Sequence, residues 1–398
     1  MTTLLVFAVA LLAAVLVSDY ASRSLLSTSV LFLAVGVVAG RGALDLLPFT
    51  ADDVMVGKTA EVALFVILFT DGMHVGFHDL RRAWRLPGRA LLLGMPLTAF
   101  AIAALAHWLV GFGWLLALLV GAALSPTDPV IASALFGRDR VPARLQHLLN
   151  VESGLNDGLA LPAVIVLLGM VSGHAAAVPV ELERLVLGVV LGVTVPWLVL
   201  QLEGRWRFAA VDVYRPILAF AVGLLVYGLT ASLQANPFLA AFAAGITVTS
   251  TSSAIRDAFR EFGEILAELL KLGALLLFGA LVSPAFIGSF GPSEYVFALL
   301  VLVLARPVAL ALALLGSGLG RRQWLVAAWF GPRGFASVVY GLLILHSGAP
   351  GTLHAFHVMA LVIAASIVVH SSTDVLVARW LDDGREPSHA GRMGERAR

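Results

Sequence analysis

Ser125-Pro126-Thr127-Asp128-Pro129 and, further along, Glu152-Ser153-Gly154-Leu155-Asn156-Asp157-Gly158 interrupt sequence that is otherwise strongly apolar. A carboxyl at the centre of a membrane helix costs roughly 2.5–3.5 kcal/mol on insertion scales. The rest of the chain avoids that cost. It is 60% hydrophobic and 13% charged, with a mean hydropathy of +0.95, whereas a soluble domain carries about 25% charged residues. The composition therefore predicts an all-α polytopic membrane protein with little soluble mass. Three acids flanked by oxygen donors inside such a chain point to a pathway for cations and protons. Polar helix glue is the structural alternative, but it is usually Ser, Thr or Asn.

Working outward, apolar runs of spanning length fall at 3–17, 25–40, 59–73, 88–110, 113–136, 147–171, 184–203, 213–232, 236–251, 262–282, 294–318, 324–346 and 355–377, about 13 transmembrane helices. The run at Met1–Val17 lacks a basic start and reads as a first helix. The basic residues test the count. Arg23, Arg81, Arg82, Arg85, Arg89, Arg138, Arg140, Arg144, Arg205, Arg207, Arg215, Arg256, Arg260, Arg321, Arg322 and the arginines after 378 all fall on one side. The other side holds Arg41, Lys58 and Arg184, and Lys271, Arg306 and Arg333 lie within spans. The positive-inside rule then places the C-terminus in the cytoplasm and the N-terminus outside. The polar tail 379–398 reads as a short disordered cytoplasmic segment after a transporter domain at 1–378. Cysteine is absent, so no disulfide or thiolate metal site is expected. No cofactor and no nucleic-acid partner are implied, and Arg outnumbers Lys as in a GC-rich bacterial genome.

Pro126 and Pro129 lack amide hydrogens and push Ser125 and Asp128 away from helical angles. Span five should break around Thr127 and release the carbonyls of Ala122 and Ser125. Such backbone is tolerated at membrane depth only where it is buried in protein or lines a cavity, and secondary transporters place ion sites on discontinuous helices. In span six, Glu152, Ser153, Asn156 and Asp157 fall on one helical stripe, with Gly154 and Gly158 beside it to admit a close neighbour. Carboxylate, hydroxyl and amide oxygens are the ligands hard cations prefer. Gly331-Pro332-Arg333-Gly334 predicts a second break, in span twelve. That break lies seven spans after the first, the spacing expected of inverted repeats. Arg333 and Arg306, which precedes Pro307, need partners at this depth, and Glu152 is the best candidate for one of them. Lys271 reads either as a helical pair with Glu268, three residues away, or as a charge near the helix crossing that senses pH. Asp71 reads as a cytoplasmic boundary residue and Glu61 as an entrance acid. His74 and His78 read as loop residues.

These residues carry a resemblance. Thr127-Asp128-Pro129, Glu152-Ser153, Asn156-Asp157, Gly331-Pro332-Arg333-Gly334 and Phe69-Thr70-Asp71-Gly72-Met73, in this order, resemble the monovalent cation:proton antiporter family 1, the sodium/proton exchanger branch with NhaP-type members. The resemblance covers about residues 1–378. It implies an inverted-repeat antiporter fold with interrupted helices five and twelve, core and dimerisation subdomains, and a homodimer in the bacterial plasma membrane. It implies that Asp157 carries the exchanged ion or proton. It implies that Thr127, Asp128, Glu152, Ser153 and Asn156 bind or organise the cation, and that Arg333 and Arg306 compensate charge. It implies antiport of Na⁺, with K⁺ or Li⁺ as alternatives, against H⁺. Asn156, where electrogenic relatives carry Asp, points to electroneutral exchange.

The residues independently fit competition at one site. A carboxyl set between burial, which disfavours charge, and nearby cations, which favour it, holds either a proton or a cation, but not both well. Three rival readings fit less of the pattern. An organic-anion transporter would use Arg333 and helix N-termini and leave three acids unexplained. A channel would bind its ion less strongly. An intramembrane aspartyl protease using Asp128 and Asp157 is opposed by Pro129 and by the lack of a Gly-x-Gly-Asp sequence at Asp157, so the chain is read as a transporter and not an enzyme.

Overall fold

The computed structural model describes residues 2–23, 27–41, 43–50, 53–76, 86–128, 143–173, 178–204, 210–282, 286 and 288–382. The Arg81–Arg85 and Arg138–Arg140 connections, His78, Pro129 and the tail beyond 382 lie outside these residues. So does the side chain of Ser153.

All regular structure in the described residues is helical. Its helices are α1 (Thr2–Arg23), α2 (Thr28–Ala39), α3 (Val54–His74), α4 (Pro87–Val110), α5 (Trp114–Leu124), α6 (Ala143–Val171), α7 (Val178–Glu203), α8 (Arg215–Leu233), α9 (Pro237–Thr251), α10 (Ser253–Leu281), α11 (Pro292–Ala313), α12 (Arg321–Trp329), α13 (Phe335–His346) and α14 (Thr352–Asp382). Six of them, α4, α6, α7, α8, α11 and α14, contain stretches long and apolar enough to cross a membrane. Together with the apolar shorter helices, this makes the chain an integral membrane protein.

Local chemistry sets the boundaries. Ser27, Asn236 and Ser252 cap α2, α9 and α10 by accepting from Val30 N, Leu239 N and Ile255 N. Gly111, at φ +82°, closes α4 in a conformation that other residues rarely adopt. Several helices outrun the apolar stretches that announced them. For example, α10 begins at Ser253 where hydropathy begins at 262, because its first turns carry Arg256, Asp257 and Arg260. In α4 and α11 a π-helical turn (Ala90–Gly94 and Val301–Ala305) directly precedes Met95-Pro96 and Arg306-Pro307. A proline ring clashes with the carbonyl four residues back, and the wider turn makes room for it.

Small residues let the inner helices touch. A Cβ on Gly72 of α3 would lie 2.4 Å from Phe242 O of α9, and one on Gly36 of α2 would lie 2.3 Å from Leu276 O of α10. These are among the most extensive helix pairs, α3 with α9 and α2 with α10. A shift of seven helices exchanges one pair for the other. Outside this core, α1 and α7 present Leu12, Leu16, Val186 and Trp197 outward, the surface that lipid tails would cover.

Candidate functional site

Two stretches of non-helical chain meet inside the bundle. Residues 125–128 follow the end of α5, and 330–334 join α12 to α13. They are tied directly, since Asp128 N donates to Pro332 O at 2.9 Å. A Cβ on Gly334 would fall 2.1 Å from Cβ of Asp128, so the crossing requires glycine there. The carbonyls freed by Pro126 and Pro129 are recaptured. Ser125 Oγ donates to Ala122 O at 2.9 Å, and Arg333 Nη1 donates to Ser125 O at 2.9 Å. Arg333 is 1% exposed, and its own backbone N donates to Ser366 Oγ of α14 at 2.8 Å. Its positive head therefore rests on backbone dipoles of the first non-helical stretch.

Arg306 takes Glu152. Its Nη1 and Nη2 donate to Oε1 and Oε2 at 2.7 and 3.0 Å, a bidentate buried pair between α11 and α6, and its Nε donates to Ala327 O. The sequence alone left open which arginine this would be. Gly331 makes the room, because a Cβ there would meet Arg306 Cδ at 2.2 Å. Of the two roles expected for Glu152, arginine partner and cation ligand, the geometry supplies the first.

On the other side of the crossing, α6 offers Asn156 and Asp157. Asn156 Nδ2 donates to Thr127 O at 2.9 Å and to Thr127 Oγ1 at 2.8 Å. The carbonyl can only accept, so the amide orientation is fixed. Asn156 Oδ1 is then a buried acceptor with no partner among the described residues. Asp157 is 9% exposed, and Tyr340 Oη donates to its backbone carbonyl at 2.6 Å. Gly158 is required by the Phe242 ring, 2.8 Å from its would-be Cβ, whereas Gly154 meets only Val75 at an ordinary 3.5 Å. Of the two glycines expected to admit a neighbour, one does so, and the neighbour is an aromatic side chain.

Of the two places expected for Lys271, the structure shows the one near the helix crossing. Its Nζ reaches across from α10 to within 3.6 Å of Asp128 Oδ1, and both side chains line a small pocket with Glu268, Ser29 and Gly334. Burial explains the choice. A buried ammonium needs a carboxylate partner, and the charges of Asp128, Asp71, Glu268 and Asp157 all act on it. Asp71 is the residue that sequence reasoning underrated. It ends an apolar run and so resembles a boundary residue, yet its charge is within reach of Asp128, Asp157 and Lys271. An acid just before a close-contact glycine, Gly72, was the available signal. His74 ends α3 instead of lying in a loop, and its Nε2 is 3.1 Å from Glu264 Oε1.

A buried carboxylate, an open amide oxygen and a hydroxyl beside discontinuous backbone form a donor set suited to a small monovalent cation. The family model for the transmembrane sodium/hydrogen exchanger matches residues 7–380. This chain belongs to the sodium/hydrogen exchanger family. Among similar proteins are the K(+)/H(+) antiporter NhaP of Alkalimonas amylolytica and NhaP2 of Shewanella sp. (strain ANA-3). The first is 27% identical over 387 residues, covering 95% of this chain and 67% of that protein. The second is 27% identical over 383 residues, covering 93% and 66%. This exchanger thus spans about two thirds of the length of those relatives. Its fold is that of the sodium proton antiporter MjNhaP1 from Methanocaldococcus jannaschii, with a TM-score of 0.77 at 20% identity, covering 97% of this chain and 100% of that one. Family and fold are those of secondary transporters.

Proposed function

We propose that this exchanger moves a monovalent cation against a proton, one for one, by competition for Asp157 with alternating access. The observation that carries the reading is a buried Asp157 next in sequence to Asn156, which bonds to the non-helical residue Thr127 and whose Oδ1 has no partner among the described residues. Thr127 and Asn156 supply neutral oxygens, and Ser153 and Asp128 complete the shell. Lys271 balances Asp128, so that exchange at Asp157 replaces one positive charge by another. Glu152 with Arg306, and Arg333 on its carbonyls, hold the crossing in place and take no part in the exchange. Na⁺ is the first candidate. K⁺ is the second, favoured by the names of the NhaP and NhaP2 relatives.

The same reading makes residues 1–378 one inverted-repeat transporter of about 13 spans with core and dimerisation subdomains. It forms a homodimer in the bacterial plasma membrane with its C-terminus in the cytoplasm. The recurrence of the close helix pairs and of the π-turn–proline device after seven helices supports the repeat.

The test is reconstitution in liposomes with a pH dye inside and the membrane potential clamped. Na⁺ or K⁺ should drive proton movement that is indifferent to the potential and absent in Asp157→Asn. Wild-type rates in that variant would refute the reading.

A further inference from the structure

Tyr340 of α13 is fully buried, and the one hydrogen bond of its hydroxyl among the described residues goes to the backbone carbonyl of Asp157 at 2.6 Å. A hydroxyl at this depth is costly without a partner, so the phenol needs that carbonyl. The carbonyl has less need of the phenol. In a helix that runs on to Val171, the Leu161 amide is its regular donor. The bond is therefore a tie between two helices and not the repair of a missing backbone bond.

The tie falls where α6 most needs bracing. Asn156 already fastens the preceding residue to Thr127. Neighbouring residues of α6 are thus held from both sides of the crossing, one by the chain at 125–128 and one by the helix that follows 330–334. Just beyond, Pro162 lies inside α6 and removes the amide that would bond Gly158 O. The helix loses one of its own bonds directly after Asp157. The phenol is uncharged and bonds the backbone, so it fixes where Asp157 stands without adding a formal charge or occupying a carboxylate oxygen.

We infer that Tyr340 is a positioning residue that sets the preference of Asp157 for the cation over the proton. The inference rests on the exchange reading above. A proton needs one oxygen of Asp157 and moves with it. A cation needs several oxygens at once, here the carboxylate together with those of Thr127 and Asn156. Only the cation is sensitive to a drift of α6 against the crossing, and the Tyr340 bond opposes that drift.

The experiment uses the full chain in liposomes with a pH dye inside, and measures initial rates against Na⁺ or K⁺ at a series of pH values. Under competition the half-saturating cation concentration is constant at alkaline pH and rises once protons occupy Asp157. The alkaline limit reports the cation, and the pH at which the rise begins reports the proton. Neither depends on how much protein is folded. Tyr340→Phe should raise the alkaline limit about fivefold and leave the pH of the rise where it was. Pro162→Ala gives Gly158 O back its amide donor and strengthens α6. If Tyr340→Phe is not recovered folded, the same comparison in the Pro162→Ala background decides, with a rise of about twofold or more expected. An unchanged alkaline limit, a lower maximal rate alone, or a shift of both quantities overturns the inference while leaving the exchange reading intact. A wild-type half-saturation that does not depend on pH overturns both.

Discussion

Asn156 ties α6 to the non-helical chain by giving both amide hydrogens to Thr127, one to its carbonyl and one to its hydroxyl, and so keeps its own oxygen open. One side chain therefore fixes the crossing and, in the proposed function, offers its oxygen to the ion. Asn156→Ala should cost about 1–3 kcal/mol by stranding the Thr127 carbonyl, lowering the melting temperature in detergent. It should also raise the half-saturating cation concentration in the liposome assay. A variant with both quantities unchanged would separate Asn156 from both roles.

The Glu152–Arg306 pair makes a different prediction. Removing one partner of a buried pair leaves an uncompensated charge and costs about 3–5 kcal/mol, whereas replacing both with apolar residues of similar size is often neutral. Glu152→Gln and Arg306→Met alone should each lower the melting temperature, and Glu152→Leu with Arg306→Met should recover most of the loss. Additive losses in the double variant would show that the two side chains act independently.

What the sequence made legible, and what it hid, divides along the range of the interactions. The non-helical chain at 125–128 and 330–334 falls where proline removes amide donors, a local effect written at Pro126, Pro129 and Pro332. The need to recapture the Ala122 and Ser125 carbonyls was legible for the same reason. The identity of the donor to Ser125 was not, because Arg333 lies 208 residues away. Glu152 could be seen to need an arginine, but choosing between Arg306 and Arg333 required knowing that Gly331 opens a passage for one of them. For Lys271 two places were open, because helical spacing offers Glu268 at i−3 while the helix crossing also lies near. Only the packing of α10 against the crossing brings Asp128 within 3.6 Å.

Glycine at the crossing yields a sharp contrast. At Gly334 a methyl group would overlap Cβ of Asp128, an atom fixed to a backbone that is itself bonded to Pro332 O. At Gly154 it would meet a Val75 methyl at ordinary contact. Gly334→Ala should reduce exchange by more than about tenfold, since the two segments must separate to accept it. Gly154→Ala should leave exchange near wild type and stabilise α6 by up to about 1 kcal/mol through helix propensity. Equal effects at the two positions would contradict the close crossing.

Arg333 supplies the last test. No carboxylate lies within ion-pair distance of it among the described residues; its donors go to Ser125 O and, at 3.4 Å, Pro126 O. If the guanidinium serves to satisfy these carbonyls, its shape matters along with its charge. Both bonds come from one nitrogen, Nη1, held in place by the planar guanidinium; lysine brings the same charge as a compact, mobile ammonium that is not fixed at that point. Arg333→Leu should then abolish exchange and lower the melting temperature, Arg333→Lys should fall between it and wild type, and Ser366→Ala, which strands the Arg333 amide and removes the hydroxyl contact to His370 Nδ1, should cost about 1–3 kcal/mol with exchange retained. Measured side by side in one detergent, full rescue by lysine would mean that charge alone is needed at position 333 and that the carbonyls freed by Pro126 and Pro129 find other donors.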